Sequence, residues 1–177
     1  MHLRDATPAD RPTLERWDAA PHIVAISGDP DFNDWDWAGE LGRDVPWRQM
    51  LVAEVAGRAI GFVQIIDPAE EESHYWGDCP SDLRAIDIWI GEPEMIGQGH
   101  GGAMMRAALT RCFADPAVTA VLVDPMAHNT DAHRFYEAMG FSFVERRSFG
   151  PDDCFVFRLD RARWAALADA PKGLRDA

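Results

Sequence analysis

A glycine-rich run, Gly97-Gln98-Gly99-His100-Gly101-Gly102-Ala103, stands between a β-rich stretch and a helical one. Four glycines in six positions let a backbone approach a ligand closely. Where such a run opens a helix, its amides and the helix dipole favour an anion, and a pyrophosphate is the natural occupant. A flexible turn is the plainer reading. Neither the dinucleotide fingerprint nor the phosphate-loop pattern fits, because no Lys-Ser or Lys-Thr follows the glycines and the loop comes after a late strand.

Three polar side chains sit where polar groups are costly or rare. Asp87 lies among Ile86, Ile88, Trp89 and Ile90, so it needs a partner or a task. The partner would be Arg84 or Arg106; the task would be proton transfer. Asp124 follows the apolar run Ala120–Val123, at a strand end of the kind where ligands collect in open α/β sheets. Since Asp-Pro is common loop chemistry, Asp124 before Pro125 also reads as a turn cap. Tyr136, one of only two tyrosines, falls seven residues after Asn129 and so on nearly the same helix face. It is either a hydroxyl donor or a core aromatic beside Phe135.

Between Asp67 and Asp87 the carboxylates Asp67, Glu70, Glu71, Glu72, Asp78 and Asp82 are opposed only by Arg84, with Tyr75 and Trp76 embedded. Carboxylates beside aromatic faces suit a polyamine or aminosugar. Glu70 to Glu72 read as a solvated loop, Trp76 and Asp78 as substrate-binding. His133 reads as a solvent-facing helix residue and His100 as a loop residue beside phosphate. No metal cluster and no Ser-His-Asp or Cys-His order is expected.

The elements that must position these groups follow from pattern. His2 to Ala6 is a short strand. Thr7-Pro8-Ala9-Asp10 opens a helix as a capping box. Residues 21–45 are irregular, with one short amphipathic helix marked by Trp35, Trp37 and Leu41. Gln49–Val55 and Ala59–Ile66 form a hairpin, and Arg84–Gly91 is the next strand. Gly101–Ala114 has helical spacing; Ala120–Val123 is a buried, parallel-type strand. Asn129 caps a helix reaching Met139, with Gly140 as terminator. Phe141–Glu145 and Cys154–Leu159 close the chain around Gly150-Pro151-Asp152. The expected fold is a mixed α/β sheet with helices on both faces.

The 177 residues fit one domain, expected over 1–160, with 161–177 a tail that is a short helix and then disordered. A net charge of −13 repels nucleic acid and anionic membrane and attracts cations, although solubility alone also explains it. Cys79, Cys112 and Cys154 have no metal-type spacing, and an odd count without a signal peptide reads as reduced thiols in a cytoplasmic protein. No apolar run approaches membrane-spanning length.

The motif Gln98-x-x-Gly101-x-Ala103 resembles the acyl-CoA pyrophosphate loop of the GNAT superfamily of N-acetyltransferases. Asn129 and the segment Phe135-Tyr136-Glu137-Ala138-Met139-Gly140-Phe141 are similar to that superfamily's closing motif. A narrower resemblance, over roughly residues 75–160, is to aminoglycoside 6′-N-acetyltransferases of the resistance type. It is carried by Tyr75-Trp76, Arg84-Ala85-Ile86-Asp87, Phe113-Ala114-Asp115-Pro116, Val123-Asp124-Pro125 and Phe135-Tyr136-Glu137. The resemblance implies a mostly antiparallel sheet splayed at its centre to admit the pantetheine arm. It implies acetyl-CoA as co-substrate, held by Trp89, Ile90, Gln98, Gly99, His100, Gly101, Gly102, Ala103, Asn129 and Ala132, with no metal. Asp87 becomes the acceptor-facing catalytic carboxylate, Tyr136 the proton donor to the CoA sulfur, and Asp124 a ligand for the acceptor ammonium. A protonated amine cannot attack a thioester, so these two proton roles are what the reaction requires.

One departure concerns the acceptor. The resistance-type enzymes resemble His22-Ile23-Val24 but continue with a carboxylate and paired tryptophans, where this chain has Ala25-Ile26-Ser27-Gly28. Trp35 and Trp37 are candidates to replace that wall. The expected partner is a cationic small-molecule amine of aminoglycoside type, met by a monomer or weak homodimer. Alternatives are a siderophore-precursor hydroxylamine, a protein N-terminus, or a non-catalytic acyl-CoA sensor.

Overall fold

Asp10 organises the start of the chain. Its Oδ2 accepts the Thr7 amide at 2.8 Å and the Thr7 hydroxyl at 3.0 Å, while Arg4 grips Oδ1 at 2.6 Å. A 3₁₀ turn, Pro8–Asp10, then leads into a helix as the capping signal requires. The computed structural model describes residues 1–27 and 35–169. Its strands are β1 (His2–Asp5), β2 (Arg48–Val55), β3 (Arg58–Ile66), β4 (Leu83–Ile90), β5 (Ala120–Val123), β6 (Ser142–Phe149) and β7 (Asp152–Asp160). The helices are α1 (Arg11–Asp18), α2 (Pro21–Val24), α3 (Trp37–Glu40), α4 (His100–Cys112), α5 (Thr130–Ala138) and α6 (Arg161–Asp169).

The strands form one sheet in the order β1-β2-β3-β4-β5-β7-β6, antiparallel throughout except between β4 and β5. On one face Met104, Met105 and Leu109 of α4 and Tyr136 of α5 pack against Val63, Ile86, Val121 and Phe157. On the other face Leu14 and Trp17 of α1 and Trp37 of α3 cover Phe62. Further along that second face Trp76, from the β3–β4 loop, packs with Leu83, Ala120, Leu122 and Phe149. The sheet is therefore the mixed, mostly antiparallel GNAT-like one, with helices on both faces.

Its central pair is short. β4 and β5 are in register only from Leu83↔Ala120 to Ala85↔Leu122, whereas β4 stays paired with β3 as far as Ile90↔Gly61. β5 ends one residue before Asp124-Pro125, and a proline cannot donate to a ladder. Beyond Ala85 one edge of β4 thus loses its neighbour, and the sheet opens into a gap. Strand alternation sends Ile86, Ile88 and Ile90 to the α4 face and Ala85, Asp87 and Trp89 to the α1 face.

Gly91, just past β4, allows α1 to lie close: a Cβ there would stand 2.0 Å from the Trp17 ring. Gly91→Ala should cost about 1–3 kcal/mol, the usual range for overpacking. Urea unfolding measures this, and a loss below roughly 0.5 kcal/mol would mean that α1 is free to shift.

Several elements differ from the sequence expectations. Residues 21–45 carry two short helices, α2 and α3, among the described residues; Gly28 lies outside them. β6 extends four residues past Glu145, paired with β7 as far as Phe149↔Asp152; most of its side chains face solvent, so no alternation marks it in the sequence. His133 is half-buried rather than solvent-facing: it stacks on Phe155 at 4.7 Å and its Nε2 meets the Met126 carbonyl at 3.0 Å. α6 is anchored by Arg161, which donates to the carbonyls of Val118 at 2.7 Å and Phe113 at 3.0 Å. The expected disordered end, 170–177, lies outside the described residues.

Candidate active site at the β4–β5 gap

Asp87 and Asp124 stand on opposite sides of the gap, both on the α1 face. The sheet sets them there: Ala85 and Leu122 are paired neighbours on that face, and each carboxylate lies two residues further on. Asp87 has neither of its expected cations. Arg84 turns instead to Asp67 at 3.0 Å and Asp115 at 3.6 Å, and Arg106 reaches toward the Met139 sulfur. Its recorded partner is the amide of Gln64, which donates at 3.2 Å from the cross-strand position. Burial, then the charge of Asp124, pushes the Asp87 carboxyl up to about 7, against the smaller opposing pull of Gln64.

Asp124 is raised to about 6, chiefly by burial, and is partly held down by a hydrogen bond from Tyr75. That phenol donates to Asp124 Oδ2 at 2.6 Å. The two carboxylates interact, so their protons come off as a pair rather than residue by residue. Tyr136 is buried on the α4 face, edge-on to Phe135 at 5.3 Å and Phe141 at 5.6 Å. Burial raises its phenol well above the ordinary value, and the charges of Asp87 and Asp124 raise it further. A phenol so placed stays protonated and can act as a donor.

The glycine run lies on the same face as Tyr136. Gly99, at φ +80°, is the N-cap of α4, and no side chain caps the helix. The first amide closing a helical bond is that of Ala103, to the Gly99 carbonyl at 3.2 Å. The amides of His100, Gly101 and Gly102 therefore remain available at a positive helix end. Cβ atoms at Gly97 or Gly99 would meet nothing within 4 Å, so the loop borders open space. The Gln98 side chain folds back onto the Glu94 carbonyl, leaving its backbone as the part turned to the loop. This cradle fits a pyrophosphate.

Other expected site residues have structural engagements. Asn129 caps α5 by accepting the Ala132 amide at 3.1 Å. Ile90 packs into the main core. Trp89 turns to the opposite face, 4.8 Å from Phe62, and its buried indole N–H has no acceptor among the described residues. Trp76 is buried, edge-on to Phe149 at 5.1 Å. Its neighbour Tyr75, not Trp76, presents the aromatic face and hydroxyl at Asp124. Asp78 is exposed on the β3–β4 loop. Trp37 is buried and hydrogen-bonded to Asp18, while Trp35 is exposed beside it. Glu72 pairs with Arg43 at 2.6 Å, and Asp82 accepts from the Thr119 hydroxyl at 2.7 Å. Sequence reasoning missed Gln64 and the Tyr75 hydroxyl as members of the site. The signal for Gln64 was an amide inside the apolar run Ile60–Ile66.

Among the described residues, no group of three or more His, Cys, Asp or Glu is placed to hold a metal, and no helix is long and apolar enough to cross a membrane. If the glycine cradle holds acetyl-CoA, Gly101→Val should weaken it. The Cβ itself makes only ordinary contacts with Phe135 and Ile90, at 3.7 and 3.8 Å, so the fold should survive. Losing one charge-assisted bond's worth, about 1.5–3 kcal/mol, raises the acetyl-CoA Kd roughly tenfold to a hundredfold. Calorimetry measures it; unchanged affinity in a folded variant would remove the cradle from the site.

Known proteins share this architecture. A model of the acetyltransferase (GNAT) domain matches residues 6–149. An aminoglycoside N(6′)-acetyltransferase type 1 of Klebsiella pneumoniae is 28% identical over 155 residues, covering 78% of this chain and 72% of the relative. A lysine N-acyltransferase of Mycolicibacterium paratuberculosis is 25% identical over 146 residues, covering 80% and 65%. The crystal structure of aminoglycoside acetyltransferase AAC(6′)-Ib with coenzyme A and kanamycin superposes with a TM-score of 0.81 at 24% identity, covering 94% and 98%. With most of its length matched by that domain, and with a sheet opened between β4 and β5 above an uncapped glycine-rich helix start, the chain belongs to the GNAT acetyltransferase family.

Proposed function

We propose that this acetyltransferase moves the acetyl group of acetyl-CoA onto a primary amine of a cationic, aminoglycoside-like small molecule. The observation that carries the reading is the carboxylate pair Asp87 and Asp124, on the face opposite the glycine cradle and flanking the gap. The donor then enters from the α4 face and the acceptor from the α1 face, and they meet between the strands. Two half-buried carboxylates, neither in a salt bridge among the described residues, attract a cation. Asp87, poised near neutrality, accepts the proton that the ammonium must lose. Tyr136 donates to the departing thiolate. Similarity to aminoglycoside acetyltransferases supports the acceptor class.

Similarity to a lysine N-acyltransferase supports a second acceptor class, amines of lysine type, beside the siderophore-precursor hydroxylamine that the sequence resemblance offers. A sensor that merely binds acyl-CoA would need the cradle but has no use for the carboxylate pair. Release of free CoA thiol, followed with kanamycin, spermidine, a hydroxylamine of lysine type and a peptide N-terminus, separates these readings. Turnover of kanamycin, weakened by added salt, is expected. Preference for the hydroxylamine with no salt effect would overturn the aminoglycoside acceptor, and turnover of none would favour the sensor.

A further inference from the structure

The turn that carries Tyr75 is built with unusual care for an exposed loop. Glu71 accepts the amide of Ser73 at 2.8 Å, the hydroxyl of Ser73 at 2.8 Å and the amide of Tyr75 itself at 3.0 Å. His74, immediately before Tyr75, stands at φ +52°, a conformation that non-glycine residues rarely adopt. Such strain persists only where surrounding contacts over-determine it. The Tyr75 ring lies flat on Phe149, with centroids 4.3 Å apart and planes at 7°. Arg147 covers Phe149 at 4.8 Å and donates to the Trp76 carbonyl at 2.8 Å, tying the turn to the β6–β7 hairpin. At the end of this assembly the hydroxyl meets Asp124, 49 residues away in sequence, while Tyr75 as a residue remains 43% exposed.

A side chain held only for packing has no need of this arrangement, since the stacked ring would serve without a hydroxyl. We infer that Tyr75 is a positioning residue of the acceptor site: its hydroxyl, presented on the Glu71-capped turn, holds Asp124 as an oriented carboxylate ready to receive a cationic acceptor. This deepens the amine-acceptor reading and rests on it. The phenol engages Oδ2 of Asp124 and so fixes the orientation in which the carboxylate meets the ammonium. The hydrogen bond also favours the ionised form against the burial that opposes it. Around Asp124 stand Asp87 from β4, Tyr136 from α5, and Asp152, Cys154 and Arg147 from the β6–β7 hairpin. Burial, and to a smaller extent Asp152, disfavour its charge; the phenol and Arg147 favour it.

The test is Tyr75→Phe, which keeps the ring on Phe149 and deletes only the hydroxyl. The Asp124 carboxyl is followed by ¹³C NMR across pH 4–9, with its resonance assigned by Asp124→Asn. Removing a donor to a carboxylate moves its titration upward, here by about one unit or more. With kanamycin as acceptor, KM should then rise roughly tenfold at pH 6, where the variant's Asp124 is largely protonated, and less than about twofold at pH 9, with kcat little changed. An unmoved Asp124 titration would overturn the inference, as would a KM loss equal at every pH, which is what disrupted packing predicts. The NMR arm needs no acceptor: a shifted titration in a protein that does not acetylate kanamycin sustains the role of Tyr75 and removes the aminoglycoside reading instead.

Discussion

Asp87→Asn should lower kcat roughly 10²- to 10⁴-fold, the usual contribution of a positioned general base. Asparagine has the same shape and can still meet Gln64, so the cross-strand contact on β4 is kept. What is lost is the capacity to take a proton from the acceptor ammonium. Because burial and the charge of Asp124 push the Asp87 carboxyl up toward neutrality, wild-type kcat should rise with pH through the neutral range as the carboxylate forms. The variant should lose that acidic limb. Stability should move the other way. A carboxyl whose folded value lies above its unfolded one favours folding only while protonated, and that advantage is lost as pH rises through about 7. Asp87→Asn should therefore match wild type in stability near pH 4 and exceed it above pH 8. Denaturant titrations at the two pH values, beside a kcat–pH profile, check both halves. A variant with full activity, or one destabilised at pH 8, would return Asp87 to a structural role.

Tyr136→Phe should fold normally and lose roughly 10²-fold in kcat, the lower end of what a general acid contributes. The ring contacts with Phe135, Phe141 and Phe157 need no hydroxyl, so the core on the α4 face should be undisturbed. The phenol is raised by burial and by the carboxylate pair, and it stays protonated across the working range as a proton donor must. A thioester whose thiol leaves more easily needs less protonation, so the deficit should shrink with such a donor. If turnover is unchanged with both donors, Tyr136 serves only packing.

Local signals in the chain were enough to determine most elements. Thr7 to Asp10 announced a helix start because both partners of the capping box lie within one turn. The glycine run announced an uncapped helix start, because free amides there are a property of a few consecutive residues. Asn129 capped α5 for the same reason. The suspicion attached to Asp87, a carboxylate inside an apolar strand, needed only its neighbours in sequence, and family resemblance then supplied a role for it and for Tyr136. β6 was legible only in part, since an outward-facing strand carries no apolar alternation to read.

Tertiary structure decided what crosses long stretches of chain. The gap exists because β5 stops at Asp124-Pro125 while β4 continues against β3, and register between strands is set by packing rather than by either sequence alone. Which face each carboxylate shares, and that Arg84 turns to Asp67 and Asp115 and leaves Asp87 without a cation, follow from that register. Between two adjacent aromatics, the sequence favoured Trp76 for the acceptor, whereas packing buries Trp76 against Phe149 and turns Tyr75 outward to Asp124. The larger indole hides more apolar surface, and the phenol can stay wet at one end. That choice is a competition for space among three loops and strands, and no window of sequence contains all of its terms.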